Sequence, residues 1–127
     1  DLMERRRSDR QLVTVRTKSK IAEVIGQLKV HGISQVPLVD GRGKLKGMLF
    51  EKNLLERALE GGGSNGPVDD MVSASYTTVD GNTEISVLAE LFRRFKVAVV
   101  LDEKSKPIDI ITRIDLIDYM SQLAGGK

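Results

Sequence analysis

Apolar residues recur along the chain in two rhythms, and the places where the rhythm changes mark the elements. Val13-Thr14-Val15 reads as a short extended stretch, and Ile21, Val24, Ile25 and Leu28 then fall at helical spacing. Ser19 is the expected N-cap of that helix and Gly32 its expected stop. Residues 33–39 read as a strand, Asp40-Gly41-Arg42-Gly43 as a hairpin turn, 45–50 as a second strand and 51–59 as a second helix.

The same grammar then returns. Thr77-Thr78-Val79 repeats Val13-Thr14-Val15, and Thr83, Ile85, Leu88 and Phe92 repeat Ser19, Ile21, Val24 and Leu28, all at an offset of 64. After a two-residue deletion the match resumes at an offset of 62, with 36–40 against 98–102 and 47–54 against 109–116. The second copy predicts an N-cap at Thr83, strands 97–101 and 108–112 joined by a longer, charged turn at 102–107, and a closing helix from 113 to about 123.

The order β-α-β-β-α, twice, predicts an α/β (α+β) domain. A unit of about 50 residues buries too little surface to stand alone, so the two repeats are expected to pack sheet to sheet about a pseudo-two-fold axis, with function in the crevice between them. The expected organisation is a basic pre-domain segment at 1–11, a first repeat at 12–60, a glycine-rich connector at 61–75, a second repeat at 76–123 and a tail at 124–127. Gly61, Gly62, Gly63, Ser64, Asn65 and Gly66 read as a flexible linker, since the Gly-Lys-Ser/Thr ending of a phosphate-binding loop is missing.

Composition narrows the chemistry. With no cysteine and His31 as the single histidine among 127 residues, a Ser-His-Asp relay or a His-based metal cluster could be assembled only around that one ring or by recruiting another subunit, so no catalytic set and no metal site are expected. His31 reads as a helix C-terminal residue favoured by the dipole. A net charge of +2 gives no reason to expect a nucleic-acid partner. No stretch approaches the length of a membrane span, and a cytoplasmic protein is expected. The cluster Arg5, Arg6, Arg7 and Arg10 reads as a solvated pre-domain segment, and Met3, Met48, Met71 and Met120 as core or interface fillers. A chain opening on Asp1 reads either as a piece of a longer polypeptide or as one whose disordered start has been trimmed.

The run Gly32-Ile33-Ser34-Gln35-Val36-Pro37-Leu38-Val39-Asp40, followed by Gly43, Leu45, Gly47 and Asn53-Leu54, resembles a CBS domain. So does the second copy, where Ile110-Ile111-Thr112-Arg113-Ile114-Asp115-Leu116 stands at the family's helix-opening Thr/Ser-x-x-Asp. The resemblance spans nearly all of 12–121 and is to a tandem pair, or Bateman module. It implies an adenosine-nucleotide sensor fused to an enzyme, channel or transporter. A narrower likeness, through Val68-Asp69-Asp70-Met71 and the closing 111–116 run, is to the C-terminal regulatory region of cystathionine beta-synthases. That implies a lyase parent whose pyridoxal-phosphate catalytic domain lies outside this chain, and S-adenosylmethionine as the ligand. Vertebrate members carry an acidic residue that contacts the ligand's amino group where Ser34 stands, so AMP, ADP and ATP stay open beside S-adenosylmethionine.

Under this resemblance Asp115 is placed to accept both ribose hydroxyls, and Thr112 either caps the last helix or turns its hydroxyl to ribose or phosphate. Ile110 and Ile114, with Ile33, Ser34, Gln35 and Val36 of the first copy, would line the adenine slot. The bland alternative is that Thr112 and Asp115 only cap a helix. Phe50 and Asn53 hold the equivalent positions of the first copy; Phe50 has no hydroxyl and its ring takes pocket volume, so that second pocket reads as degenerate. The expected function is a homodimeric regulatory module without catalysis of its own, and the competing one a ligand-free dimerisation scaffold. Asp69-Asp70, adjacent in a connector, gives no convergent pair for general acid–base work.

Overall fold

Each half of the chain builds one β-α-β-β-α unit. The computed structural model describes residues 12–60, 63 and 65–126; Arg5, Arg6, Arg7, Arg10, Met3, Gly61, Gly62 and Ser64 lie outside the described residues. The first unit, Val13–Ala74, contains β1 (Val15–Arg16), α1 (Ile21–His31), β2 (Gln35–Val39), β3 (Leu45–Phe50) and α2 (Glu51–Leu59), then a 3-10 turn at Asp69–Met71. The second, carried by the chain from Ser75 onward, contains β4 (Thr77–Asp80), α3 (Ile85–Leu91), β5 (Val97–Leu101), β6 (Pro107–Thr112) and α4 (Arg113–Gly126).

Both units carry a three-stranded sheet, ordered β1-β2-β3 and β4-β5-β6, with a parallel first pair and an antiparallel second pair. A helix makes the parallel crossover and a tight turn the antiparallel return, as those pairings require. The duplication extends to irregularities: the register slips between Leu38 and Val39 in one sheet and between Val100 and Leu101 in the other.

The apolar rhythm is what folds each unit. In α1, Ile21, Val24 and Leu28 are buried against Val36, Leu38 and Leu49 of the sheet and Leu54 of α2. In the second unit Leu88 and Phe92 bury against Ala98, Val100, Ile111 and Leu116. Gly32 ends α1 in the left-handed region at φ 62°, its amide bonding the Lys29 carbonyl and that of Ile33 reaching Leu28. Glycine enters that conformation at no steric cost. Alternate strand positions, Pro37, Val39 and Met48 in the first unit and Val97 and Val99 in the second, are buried too, so neither sheet has a polar face.

Two expected caps are elsewhere. α1 begins at Ile21 with Lys20 as its N-cap, and the Lys20 amide donates to Glu23 Oε1 at 2.9 Å. Ser19 instead accepts the Val68 amide at its carbonyl. α3 begins after Glu84; Thr83 Oγ1 is engaged by Asp80, accepting from its amide at 3.2 Å and donating to its Oδ1 at 3.3 Å. An aspartate three residues upstream competed for the hydroxyl.

The second hairpin turn is no longer than the first. Residues 40–44 and 102–106 close in the same way, Asp40 Oδ1 accepting the Arg42 and Lys44 amides at 2.8 and 3.0 Å and Asp102 Oδ1 those of Lys104 and Lys106 at 2.8 and 2.9 Å. The Lys44 amide, with that of Arg42, holds the Asp40 carboxyl below its ordinary value, and the Lys106 amide leads the same effect at Asp102. The left-handed residue of the turn is Gly43 (φ 84°) in one copy and Ser105 (φ 65°) in the other. A side chain in that region costs about 1–2 kcal/mol, partly offset by the freer unfolded chain of a glycine variant. Ser105→Gly is therefore expected to stabilise the protein by about 0.5–1 kcal/mol, read as a higher denaturation midpoint.

The chain after the glycine run is built into the first unit. The Ile21 amide bonds the Gly66 carbonyl at 3.0 Å, Val68 joins the core, the Lys18 amide donates to Asp69 Oδ1 at 2.6 Å, and Ser73 pairs with Met48 outside β3. Val72 lies over Gly47, where an added Cβ would meet the Val72 Cβ at 2.8 Å. Gly47→Ala must push that segment off the sheet, and a loss of about 1–3 kcal/mol is expected in urea denaturation.

Candidate ligand-binding site

The polar residues singled out in the second repeat meet where β6 passes into α4. The Thr112 amide and hydroxyl both donate to Asp115 Oδ2, at 2.8 and 3.0 Å, and the Asp115 amide approaches Thr112 Oγ1 at 3.4 Å. This is a reciprocal box at the first turn of a helix, where backbone amides need acceptors and a carboxylate is favoured by the dipole. Both side chains are half-buried.

The strand supplies the rest of the frame. Thr112 pairs with Val97 at the start of β5, and Ile110, half-buried, with Val99. Ile114 is 61% exposed on the first turn of α4. Arg113 Nε donates to the Phe92 carbonyl at 2.8 Å, fastening the start of α4 to the end of α3. Asp109, only 6% exposed, accepts the Ile110 amide at 2.8 Å. Neither Arg113 nor Asp109 was singled out from sequence; the available signal was that they replace Glu51 and Gly47 of the first copy.

At the counterpart turn in the first unit, Phe50 is the residue before α2, extended at φ −114° and ψ 135°, with no side-chain cap. The Glu51 amide donates to the Ser34 carbonyl at 2.9 Å, and Asn53 is half-buried. Ser34 is exposed, its hydroxyl donating to Gln35 Oε1 at 3.2 Å. Val36 is fully buried within the core of its own unit, and Ile33 packs on that core. Thr112 and Asp115 are thus in direct contact, while Ile33, Ser34, Gln35 and Val36 belong to the other unit.

Among the described residues, no group of His, Asp and Glu side chains is arranged to hold a metal ion, and no helix is long and apolar enough to cross a membrane. His31 is the exposed last residue of α1.

The family model for the CBS domain matches the chain twice, over residues 1–60 and 68–122. The chain belongs to the CBS domain family. Cystathionine beta-synthase from Saccharomyces cerevisiae is 28% identical over 87% of the chain, and the chain spans only 26% of that relative's length. A CBS-domain protein from Agrobacterium tumefaciens superposes with a TM-score of 0.76 at 24% identity, covering 94% of this chain and 90% of that one. The Arabidopsis thaliana CBS-pair protein CBSX2, solved in complex with AMP, gives 0.74 at 22% identity, covering 89% and 90% of the two chains. A CBS domain pair solved with 5′-methylthioadenosine and S-adenosyl-L-methionine gives 0.73 at 20% identity, covering 93% and 91%. Within the two CBS repeats of this chain, the polar box at the helix start is present in the second and replaced by Phe50 and Asn53 in the first.

Proposed function

We propose that this CBS pair is a regulatory module that senses an adenosyl ligand at the start of α4 and passes its occupancy to an attached enzyme. The Thr112–Asp115 box carries the reading. A carboxylate fixed by two bonds from Thr112 is oriented before any ligand arrives, so little freedom is lost when vicinal ribose hydroxyls donate to it. Ile110 and Ile114 supply apolar surface for the base. The first repeat, with Phe50 and Asn53 at these places, lacks both the hydroxyl and the carboxylate, so one site per chain is the expected stoichiometry.

Support comes from two CBS-pair structures of the same fold, one solved with AMP and one with 5′-methylthioadenosine and S-adenosyl-L-methionine. The yeast relative supports a cystathionine beta-synthase as the attached enzyme, and the pyridoxal phosphate would belong to that catalytic part. A ligand that prefers one state of the module shifts its population, and linkage hands the same free energy to whatever the module is joined to.

Isothermal titration of the chain with AMP, ATP and S-adenosylmethionine tests the reading. One equivalent of at least one of them should bind. Silence from all three at millimolar concentration overturns it. A second reading, a dimerisation scaffold, is favoured by the exposed Ile117, Met120 and Leu123 on α4. It predicts a concentration-dependent dimer by ultracentrifugation, with no response to nucleotide.

A further inference from the structure

We infer that Asn65 is a site of spontaneous modification, at which the chain closes a cyclic imide with Gly66 and reopens to aspartate and isoaspartate. The chain has three asparagines. Asn53 is followed by Leu54 inside α2, and Asn82 by the β-branched Thr83 in the turn after β4. Asn65 is followed by glycine, whose nitrogen no side chain shields. Asn65 is exposed and belongs to no helix or strand. Among the described residues neither its side chain nor the Gly66 amide has a hydrogen-bond partner, so both reacting groups are free to meet.

In the reaction the Gly66 nitrogen gives up its proton and attacks Asn65 Cγ; the Cγ–Nδ2 bond breaks and the nitrogen leaves, with a proton, as ammonia. Water then opens the imide at either carbonyl, giving aspartate with the original backbone or isoaspartate with the backbone running through Cβ. Nothing is oxidised or reduced, and water is the one co-reactant. The Gly66 carbonyl, which accepts the Ile21 amide at 3.0 Å, and the bridge between Lys20 and Pro67 lie beyond the bonds that change, so the connector stays fastened to α1 throughout. Either product adds a carboxylate and takes the net charge of +2 down by one.

The fold withholds the same chemistry from its two Asp-Gly pairs, Asp40-Gly41 and Asp80-Gly81. Asp40 Oδ1 accepts the Arg42 and Lys44 amides, and Asp80 Oδ1 accepts the Asn82 amide at 2.9 Å, so each carboxylate is committed to its turn. The Lys44 and Arg42 amides also keep the Asp40 carboxyl ionised, and an ionised carboxylate is a poor target for a nucleophile.

Incubation of the full chain in warm, mildly alkaline buffer tests the inference, read by peptide-mapping mass spectrometry and by methylation with protein L-isoaspartyl methyltransferase. The peptide holding Asn65 should gain about 1 Da and accept methyl groups. It should do so at least about tenfold faster than the peptides holding Asn53, Asn82, Asp40 or Asp80, a barrier lower by about 1.4 kcal/mol. In guanidinium, which releases the turns, the two Asp-Gly pairs should begin to accept methyl groups, while the Asn65 rate changes less than about threefold. A Cβ added at Gly66 meets nothing within 4 Å, and φ there is not left-handed, so Gly66→Ala keeps the fold. That variant should slow conversion at Asn65 at least about tenfold. An unmodified Asn65, a rate indifferent to Gly66→Ala, conversion spread evenly over the asparagines and Asp-Gly pairs of the folded chain, or a reaction that starts only in guanidinium overturns the inference.

Discussion

Asp115→Ala is expected to weaken binding of an adenosyl ligand by about ten- to a hundredfold while the protein stays folded. A hydrogen bond to a charged group is worth about 1.5–3 kcal/mol, and each 1.4 kcal/mol is tenfold in affinity. The same substitution strips the Thr112 amide and hydroxyl of their shared acceptor, Asp115 Oδ2, which costs about 0.5–2 kcal/mol of stability. The two losses separate with Asp115→Asn. Its amide oxygen still accepts from Thr112 and keeps most of the cap, but it lacks the negative charge that two ribose hydroxyls would share. Calorimetric affinity and urea denaturation on both variants give the comparison; if Asn and Ala lose stability alike and neither changes affinity, Asp115 is only a cap.

The largest loss of stability is expected in the first unit. Leu54 is fully buried on α2 and packs in the same core as Val36, Leu49 and Val68. Leu54→Ala removes that contact and leaves a cavity in a close-packed interior, for about 2–5 kcal/mol. Such a loss is a large share of the 5–15 kcal/mol typical of a whole domain. Leu59→Ala on the same helix is the control: at 87% exposure it should move the midpoint by no more than about 0.5 kcal/mol.

The periodic parts of this fold were legible in the sequence because each depends on a repeated choice. Ile21, Val24 and Leu28 mark a face, Gly32 marks an end, and the duplicated run makes each reading a test of the other. What escaped depends on single competing bonds. Ser19 and Thr83 look like caps by residue type, but the Ser19 carbonyl is tied to Val68 and the Thr83 hydroxyl to Asp80. The turn at 102–106 looked longer because it lacks glycine; Asp102 folds it as Asp40 folds its partner, and Ser105 bears the left-handed strain. At the candidate site the pairing of Thr112 with Asp115 follows from their three-residue spacing. The bond from Arg113 to Phe92 spans 21 residues and leaves no local pattern to read.

The way residues 66–73 are sewn onto the first repeat changes how the connector should be engineered. Glu60 closes the turn after α2, and by Gly66 the chain is already bonded to the head of α1, so the polar stretch between them starts and finishes on one body. An insertion between those two anchored ends closes on a single body, and each doubling of the length so closed costs only about 0.6 kcal/mol. A reporter grafted there would ride on the first repeat, leaving the spacing from Ser73 to the Thr77 strand as it was.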